Sequence, residues 1–357
     1  MLVESVINPK SIALVATQDR SNEIPFLGLQ WFPTRKKAGI DLKWIKTHKG
    51  VSPSLAPSNY DALPVIRTRQ GLQIEKTEMP FFRESMKITE NDIREIQRIT
   101  EANDPYLASA LRSVYDDTTA LTESADVVAE RMRMQLLAAV GGHPSISISA
   151  NNQSYIYNYD ADNSYFTNNY KSLTSTNMWS DATNSHPLKD LDDAKKALAQ
   201  KGYQAKYVLM TTKTFGYLRN SAEVKSVLLT TNAAGTIFVT DAAVKRVVED
   251  TTGLVIVIYD KTFTNESGQV ENYYPDDTVT LLPDSKLGDT WYGETPAERS
   301  IGVVTNAQTE LYGAGIAITT EPKMQDGVYS FTTIASEIVL PSYERMDSTY
   351  VIKVVNP

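Results

Sequence analysis

The chain has 357 residues and a mass of 39.7 kDa, too long for one simple core, so two or three lobes are expected. Its 41% hydrophobic and 22% charged residues describe a folded protein, and a net charge of -8 argues against a chain that wraps nucleic acid. With no cysteine, disulfides, thiolate catalysis and cysteine-bound metals are excluded.

The opening residues, MLVESVINPKSIALV, lack a basic segment, and Glu4 and Pro9 interrupt their apolar character, so no signal peptide is expected. The longest apolar run, LVIVIY at 254–259, is too short to cross a membrane, and no membrane partner is expected. Residues 1 to 38 show no sustained period and carry Pro9, Pro25 and Pro33, which predicts an extended arm containing a short helix. In IDLKWIKTHK, alternation puts Ile40, Leu42 and Trp44 on one face of a strand. A proline- and serine-rich loop follows, and VIRTRQGLQIEKTEM returns as a second strand interrupted by Gly71. Residues 40 to 80 are thus a long two-stranded excursion that needs support from outside itself.

ITENDIREIQRI predicts a helix capped by Thr89, with Asp92 in its acidic first turn. A longer helical tract runs from about Tyr106 to Val140, with Val128, Met132, Leu136 and Val140 forming its inward stripe and Gly141-Gly142 ending it. SISISANNQSYIYNYD predicts a hairpin. Residues 160 to 186 have the aperiodic Asn, Ser, Thr and Tyr composition of an ordered loop. From Pro187 the character changes. PLKDLDDAKKALAQKG, TFGYLRNSAEVKSVLL and DAAVKRVVEDTTG are expected helices, the last capped by Asp241 and closed by Gly253. YVLMT, LVIVIYD (as a central strand) and TVTLLP are expected strands, with a hairpin around Ser267-Gly268, so 187 to 300 reads as an α/β lobe. After 300, GIAITTEP, YSFTTIAS, EIVLP and TYVIKVV read as strands that rejoin the earlier hairpin and long helix in an α+β lobe.

Candidate chemistry is sparse. His48, His143 and His186 have no metal-ligand spacing. No nucleophile elbow or phosphate-binding loop occurs, and GAGIAI lacks the glycines and the helix of a dinucleotide loop. DADNS at 160–164 begins like a calcium loop, but Tyr165 stands where the glycine should be and Lys171 where the terminal glutamate should be. Asp276 and Asp277 form the only other paired carboxylates beside an apolar strand; Pro-Asp-Asp before a β-branched run is turn chemistry. No catalytic, cofactor-binding or metal residue is expected.

The same stretch carries a likeness. QVENYYPDDTVTLLPDSKLGDTWYGE resembles a passage of the lambda-type major capsid proteins of tailed phages, the capsid protein E family. TKTFGYLRNSAEVKSVLL, ALPVIRTRQG and SEIVLPSYERMDSTYVIKVV resemble further segments of that family, in the same order. The resemblance implies an α+β Hong Kong 97-like capsid fold. Its parts would be an N-terminal arm (1–39), an extended β-hairpin loop (40–80), a peripheral lobe with a long spine helix (81–186, helix about 106–140), an inserted α/β axial lobe (187–300) and returning peripheral strands (301–357). It implies a major capsid protein, not an enzyme and without cofactors. Hexamers and pentamers of identical copies would form the icosahedral head shell around packaged double-stranded DNA, in a virion assembled in the host cytoplasm. The implied partners are other copies of the chain, a scaffolding protein during assembly, a portal protein at one vertex and DNA held without sequence-specific binding; a decoration protein is left open. The first 40 residues are too short for a fused scaffolding domain, so a separate scaffold is expected. The alternatives are a cellular encapsulating shell of the same fold and an α/β enzyme with 187–300 as its catalytic lobe.

Charge suggests where copies touch. Asp41 to Lys87 holds eight basic and five acidic residues, a net +3, whereas Glu90 to Glu130 holds three basic and ten acidic ones, a net -7. A basic hairpin and an acidic helical tract are complementary between neighbours. Arg67 and Arg69, with Lys43, Lys46, Lys49 and Trp44, are the expected inter-subunit contact residues.

Overall fold

The computed structural model describes residues 24–46, 51, 73–101, 107–150, 153–231, 239–299, 308–325 and 328–356. Arg67, Arg69, Lys49, His48 and the tip of the expected loop lie outside these residues, as does most of the expected arm. A 3-10 turn at Leu27–Gln30 precedes strands β1 (Thr34–Lys36) and β2 (Asp41–Lys46). Leu42, Trp44 and Lys46 form the buried face of β2. Ile40, expected on that face, is 40% exposed because the strand starts one residue after it. Strand β3 (Gln73–Glu78) pairs with β2, as the excursion predicted.

Strand β4 (Phe81–Ile88) is an element the sequence reading missed; its polar centre, RES, hides the alternation. Helix α1 (Glu90–Glu101) starts as expected: Thr89 N and Oγ1 both donate to Asp92 Oδ2, and Asp92 N donates to Thr89 Oγ1. These bonds hold the Asp92 carboxyl below its usual value. The cap therefore stabilises above the ordinary carboxylate range and fades as pH falls through that lowered value. Thr89→Ala is expected to cost about 1 kcal/mol, read as lower hydrogen-exchange protection of the first-turn amides of α1, with the difference shrinking in acid.

Helix α2 (Leu107–Ala138) is the long helix. Met132 and Leu136 are fully buried, but Val140 is 65% exposed: Ala139 has already turned left-handed at φ 42°, so the stripe stops one turn early. Strands β5 (Ser145–Ala150) and β6 (Gln153–Asn158) form the expected hairpin. Helix α3 (Ser164–Asn169) and strand β7 (Tyr170–Ser172) occupy the stretch expected to be loop. Helix α4 (Pro187–Gln200), strand β8 (Tyr207–Met210), helices α5 (Thr212–Asn220), α6 (Ala222–Thr231) and α7 (Asp241–Thr252), and strand β9 (Val255–Ile258) follow. The helix expected over 214–229 breaks at Ser221, and the cap of α7 is Thr240, one residue before Asp241. The chain continues through β10 (Thr262–Thr264), β11 (Val270–Asn272), β12 (Thr278–Leu282), β13 (Thr290–Tyr292), α8 (Pro296–Arg299), β14 (Gln308–Tyr312), β15 (Ile316–Gln325), β16 (Val328–Pro341) and β17 (Tyr350–Lys353).

The chain divides into two compact units. The first gathers 1–42, 76–132 and 289–342. Its sheet is organised by the long strand β16, which pairs along one edge with β15 and along the other first with β4 and then with β13. The expected strands YSFTTIAS and EIVLP are this single element; polar Ser336 and Glu337 at its middle are both buried. Within this unit Glu130 is fully buried and accepts from Gly28 N.

The second unit gathers 43–75, 133–288 and 343–357. Its five-stranded sheet has the order β7-β17-β12-β8-β9. Strand β12 is central and buried throughout, whereas β9, expected to be central, is the edge strand paired in parallel with β8. Helices α4, α5, α6 and α7 lay Leu191, Leu198, Phe215, Leu218, Val224 and Val248 against Val208, Val279, Leu281 and Ile352 of the sheet. Closing strand β17 was expected among the strands after 300. It lies instead between β7 and β12, because Val351 and Ile352 are buried on opposite faces and need cover on both.

Candidate assembly surface

The candidate residues lie at the root of the excursion. Alternation along β2 turns Lys43 outward and Trp44 and Lys46 inward. The Trp44 ring stacks on Tyr159 with centroids 5.3 Å apart, and only 9% of Trp44 is exposed. Lys46 is 4% exposed, with its ammonium 3.6 Å from Asp162 Oδ1. Burial acts to raise the Asp162 pKa, but hydrogen bonds from Ser164 and the Lys46 charge hold it below the usual carboxylate value. Trp44 and Lys46 therefore anchor the root of the loop to its own subunit, while Lys43 and Ile45 face outward.

The anchor rests on a turn that Asp160 organises. This fully buried carboxylate accepts from Tyr165 N (2.8 Å) and Phe166 N (3.0 Å), the free amides at the start of α3, and lies 3.0 Å from His143 Nδ1. Its oxygens are committed to the chain, which removes the calcium reading of DADNS. His143 stacks on Phe166 (4.9 Å) and Phe166 on Tyr170 (5.6 Å). Gly142, at φ 90°, permits that stack, since a Cβ there would sit 2.5 Å from the Phe166 ring.

Asp276 and Asp277 are likewise a structural turn. Asp276 Oδ1 accepts from Thr211 Oγ1 (2.7 Å), Asp277 N donates to Thr214 Oγ1 (3.0 Å), and Asp277 O accepts from Val354 N (3.0 Å). The pair thus ties the start of α5 to the end of β17, with Lys213 bridging both carboxylates at 3.6 and 3.2 Å. Among the described residues no group of His, Cys, Asp and Glu could hold a metal. No described helix is long and apolar enough to cross a membrane.

On the acidic side, Glu90 and Asp92 are exposed, whereas Glu130 is consumed inside its own unit. The side chains of Glu95, Glu101, Asp116 and Asp117, and residue Asp104, lie outside the described set. Neither the Trp44 anchor nor the role of Asp160 was read from the sequence. For Asp160 the only signal was the turn-forming run DADNS that it opens; for Trp44 there was none, because its partner Tyr159 is more than a hundred residues away.

The sequence model of a phage family, phage major capsid protein E, matches residues 14–331. A phage-related protein from Bordetella bronchiseptica RB50 has a similar structure, with TM-score 0.55 and 14% identity over 96% of this chain and 95% of that one. A protein assigned as the capsid protein of a prophage in Escherichia coli CFT073 is also similar, with TM-score 0.58 and 11% identity over 98% and 99% of the two chains. No curated protein matches the chain. With a match that spans most of its length and a fold shared end to end with these phage proteins, the chain belongs to the phage major capsid protein E family.

Proposed function

We propose that this protein is the subunit from which hexamers and pentamers of an icosahedral phage head are built around double-stranded DNA. The family is a structural one, its members are head-shell proteins, and the chain's place is the virion head. The observation that carries the reading is the family match over 14–331. The acids at these turns hold the fold: Asp160 and Asp276 accept hydrogen bonds through their carboxylates, and Asp277 is tied by its backbone N–H and by Lys213. Assembly in the host cytoplasm, a separate scaffolding protein, a portal protein at one vertex and DNA held without sequence readout complete the proposal. The net charge of -8 suits a shell that must fill and empty with DNA.

The test is electron microscopy of the chain co-expressed with its scaffolding protein. Closed shells are expected, and a stable small oligomer alone would defeat the reading. With no cysteine and no cross-linking chemistry implied, shell protein boiled in detergent should run as a single 39.7 kDa band.

Lys43, Lys49, Arg67 and Arg69 of the excursion remain the proposed contacts to a neighbour's acidic helical tract; Trp44 and Lys46 are assigned to anchoring it. Exposed pairs contribute only ~0.2–1 kcal/mol each, but the contact repeats throughout a shell and fixes orientation. Changing Arg67 and Arg69 together to Glu should leave circular dichroism unchanged and stop or misdirect assembly. Normal particle yield at physiological salt would remove this contact.

A further inference from the structure

Strands β5 and β6 form a sheet of their own, and its two edges are treated differently. The outer edge of β5 is sealed by a side chain: Gln135 Nε2 donates to Ser147 O, and Ser147 N donates to Gln135 Oε1, both at 3.0 Å. The backbone of Ser147 therefore points away from β6. It follows that the opposed residues Ser147 and Ile156 form a pair without mutual hydrogen bonds. The bond from Tyr159 N to Pro144 O falls on the alternate positions and confirms the phase. By the same alternation, the N–H and C=O groups of Ser154, Ile156 and Asn158 point to the outer edge of β6. Among the described residues no strand pairs that edge.

The edge is also unprotected by charge. Natural sheet edges carry lysine, proline or inward charges to prevent strand addition. The run from Pro144 to Tyr159 contains no charged residue, in a protein of net charge -8. Ile156, at the centre of the free edge, is 70% exposed. Its neighbours on the same face are the uncharged Ser154 and Asn158.

We propose that this edge pairs with the same edge of a second copy, antiparallel and about a two-fold axis through Ile156, to give the continuous order β5-β6-β6-β5. Three features select a copy of the chain as the occupant. The free groups are arranged symmetrically about Ile156, as an isologous contact requires. The edge is neutral, so two acidic subunits meet there without like-charge repulsion. The far side is occupied at its centre by Gln135, which bonds both backbone groups of Ser147 and so opposes addition of a strand there. The inference rests on the shell reading in that the family builds from identical copies. It goes beyond that reading by naming one two-fold contact.

The absence of native cysteine makes the test direct. In a hydrogen-bonded antiparallel pair the Cα atoms of Ile156 and its mate are about 5.5 Å apart, within disulfide range. Ile156→Cys shells, mildly oxidised, should yield a dimer in detergent without reductant. Ser147→Cys, exposed on the same face but on the sealed strand, should yield none. Ser154→Cys with Asn158→Cys should also cross-link, because those positions oppose each other across the axis, whereas Ser154→Cys alone should not. Ile156→Lys should lower particle yield about tenfold, since two ammonium groups then face each other across the axis. Shells in which Ile156→Cys gives no dimer, or in which Ser154→Cys alone does, overturn the proposal. If the unmodified chain forms no shells, the shell reading fails by itself. The edge is then judged on the concentrated subunit, where the Ile156→Cys dimer would still support it and its absence would overturn it.

Discussion

Asp160→Ala is expected to cost about 3 kcal/mol, because two amides at the start of α3 lose the carboxylate they bond and no water-exposed group replaces it. Tyr165, whose amide is one of them, is fully buried, so its N–H is left in the interior. The damage extends beyond the helix. Tyr165 OH and Tyr343 OH both bond Thr349 Oγ1, at 3.0 and 2.9 Å, and Asn169 Nδ2 bonds Thr349 O at 2.6 Å. Loss of the α3 start therefore reaches the entry to β17. Asp160→Asn keeps the volume and one acceptor oxygen and should cost about half as much. Because the chain has two units, one global melting temperature is not a safe readout. Hydrogen exchange over 160–170 is the better measurement: faster exchange of the Tyr165 and Phe166 amides is expected, and unchanged protection would show that Asp160 does not hold the turn.

Local rules were legible where local chemistry decides. The Thr89–Asp92 cap, Pro187 at the first position of α4, Gly253 after α7 and the turn at Gly268 are each set by residues within one turn of each other. Failures occur where a neighbour distant in sequence supplies the partner. LVIVIYD suggests a central strand because its apolar run has no polar break, but only chain order in the sheet decides that β12 is central and β9 is at the edge. Ser336 and Glu337 suggest a break between strands, yet β16 carries them through its buried middle. Helix α3 was unreadable by period because its first turn is held by Asp160, and Asn163 enters it at φ 55°.

The candidate site was legible at a coarser level. Alternation and the proline-rich loop gave the strand and the excursion, and resemblance gave the family. Which face of β2 turns inward depends on Tyr159 and Asp162, more than a hundred residues away, so the assignment of Trp44 and Lys46 to a neighbour could not be tested by pattern. Composition also overstated the acidity open to a neighbour, because Glu130 is spent on Gly28.

Trp44→Ala should remove the anchor of the excursion and lower the stability of its unit by about 3 kcal/mol, the low end for losing a buried aromatic, because Trp44 keeps a 9% exposed rim. The ring covers Tyr159, which is itself 8% exposed, so truncation opens a second aromatic to water. Lys46 beside it then holds a buried ammonium against one carboxylate at 3.6 Å with less cover, and water reaches the pair. Lys43→Ala, on the same strand but facing outward, should change stability by less than about 0.5 kcal/mol. The two variants separate anchoring from contact. If the excursion works by gripping a neighbour, Trp44→Ala subunits kept folded by low temperature should still assemble poorly, because the root no longer fixes where the loop points. Lys43→Ala should assemble from a fully stable subunit with at most a salt-dependent loss of yield. Equal hydrogen-exchange protection of the amides around Tyr159 in the two variants would mean that the ring does not anchor the loop. Equal and normal assembly at low temperature would mean that the direction of the loop root is irrelevant to the shell.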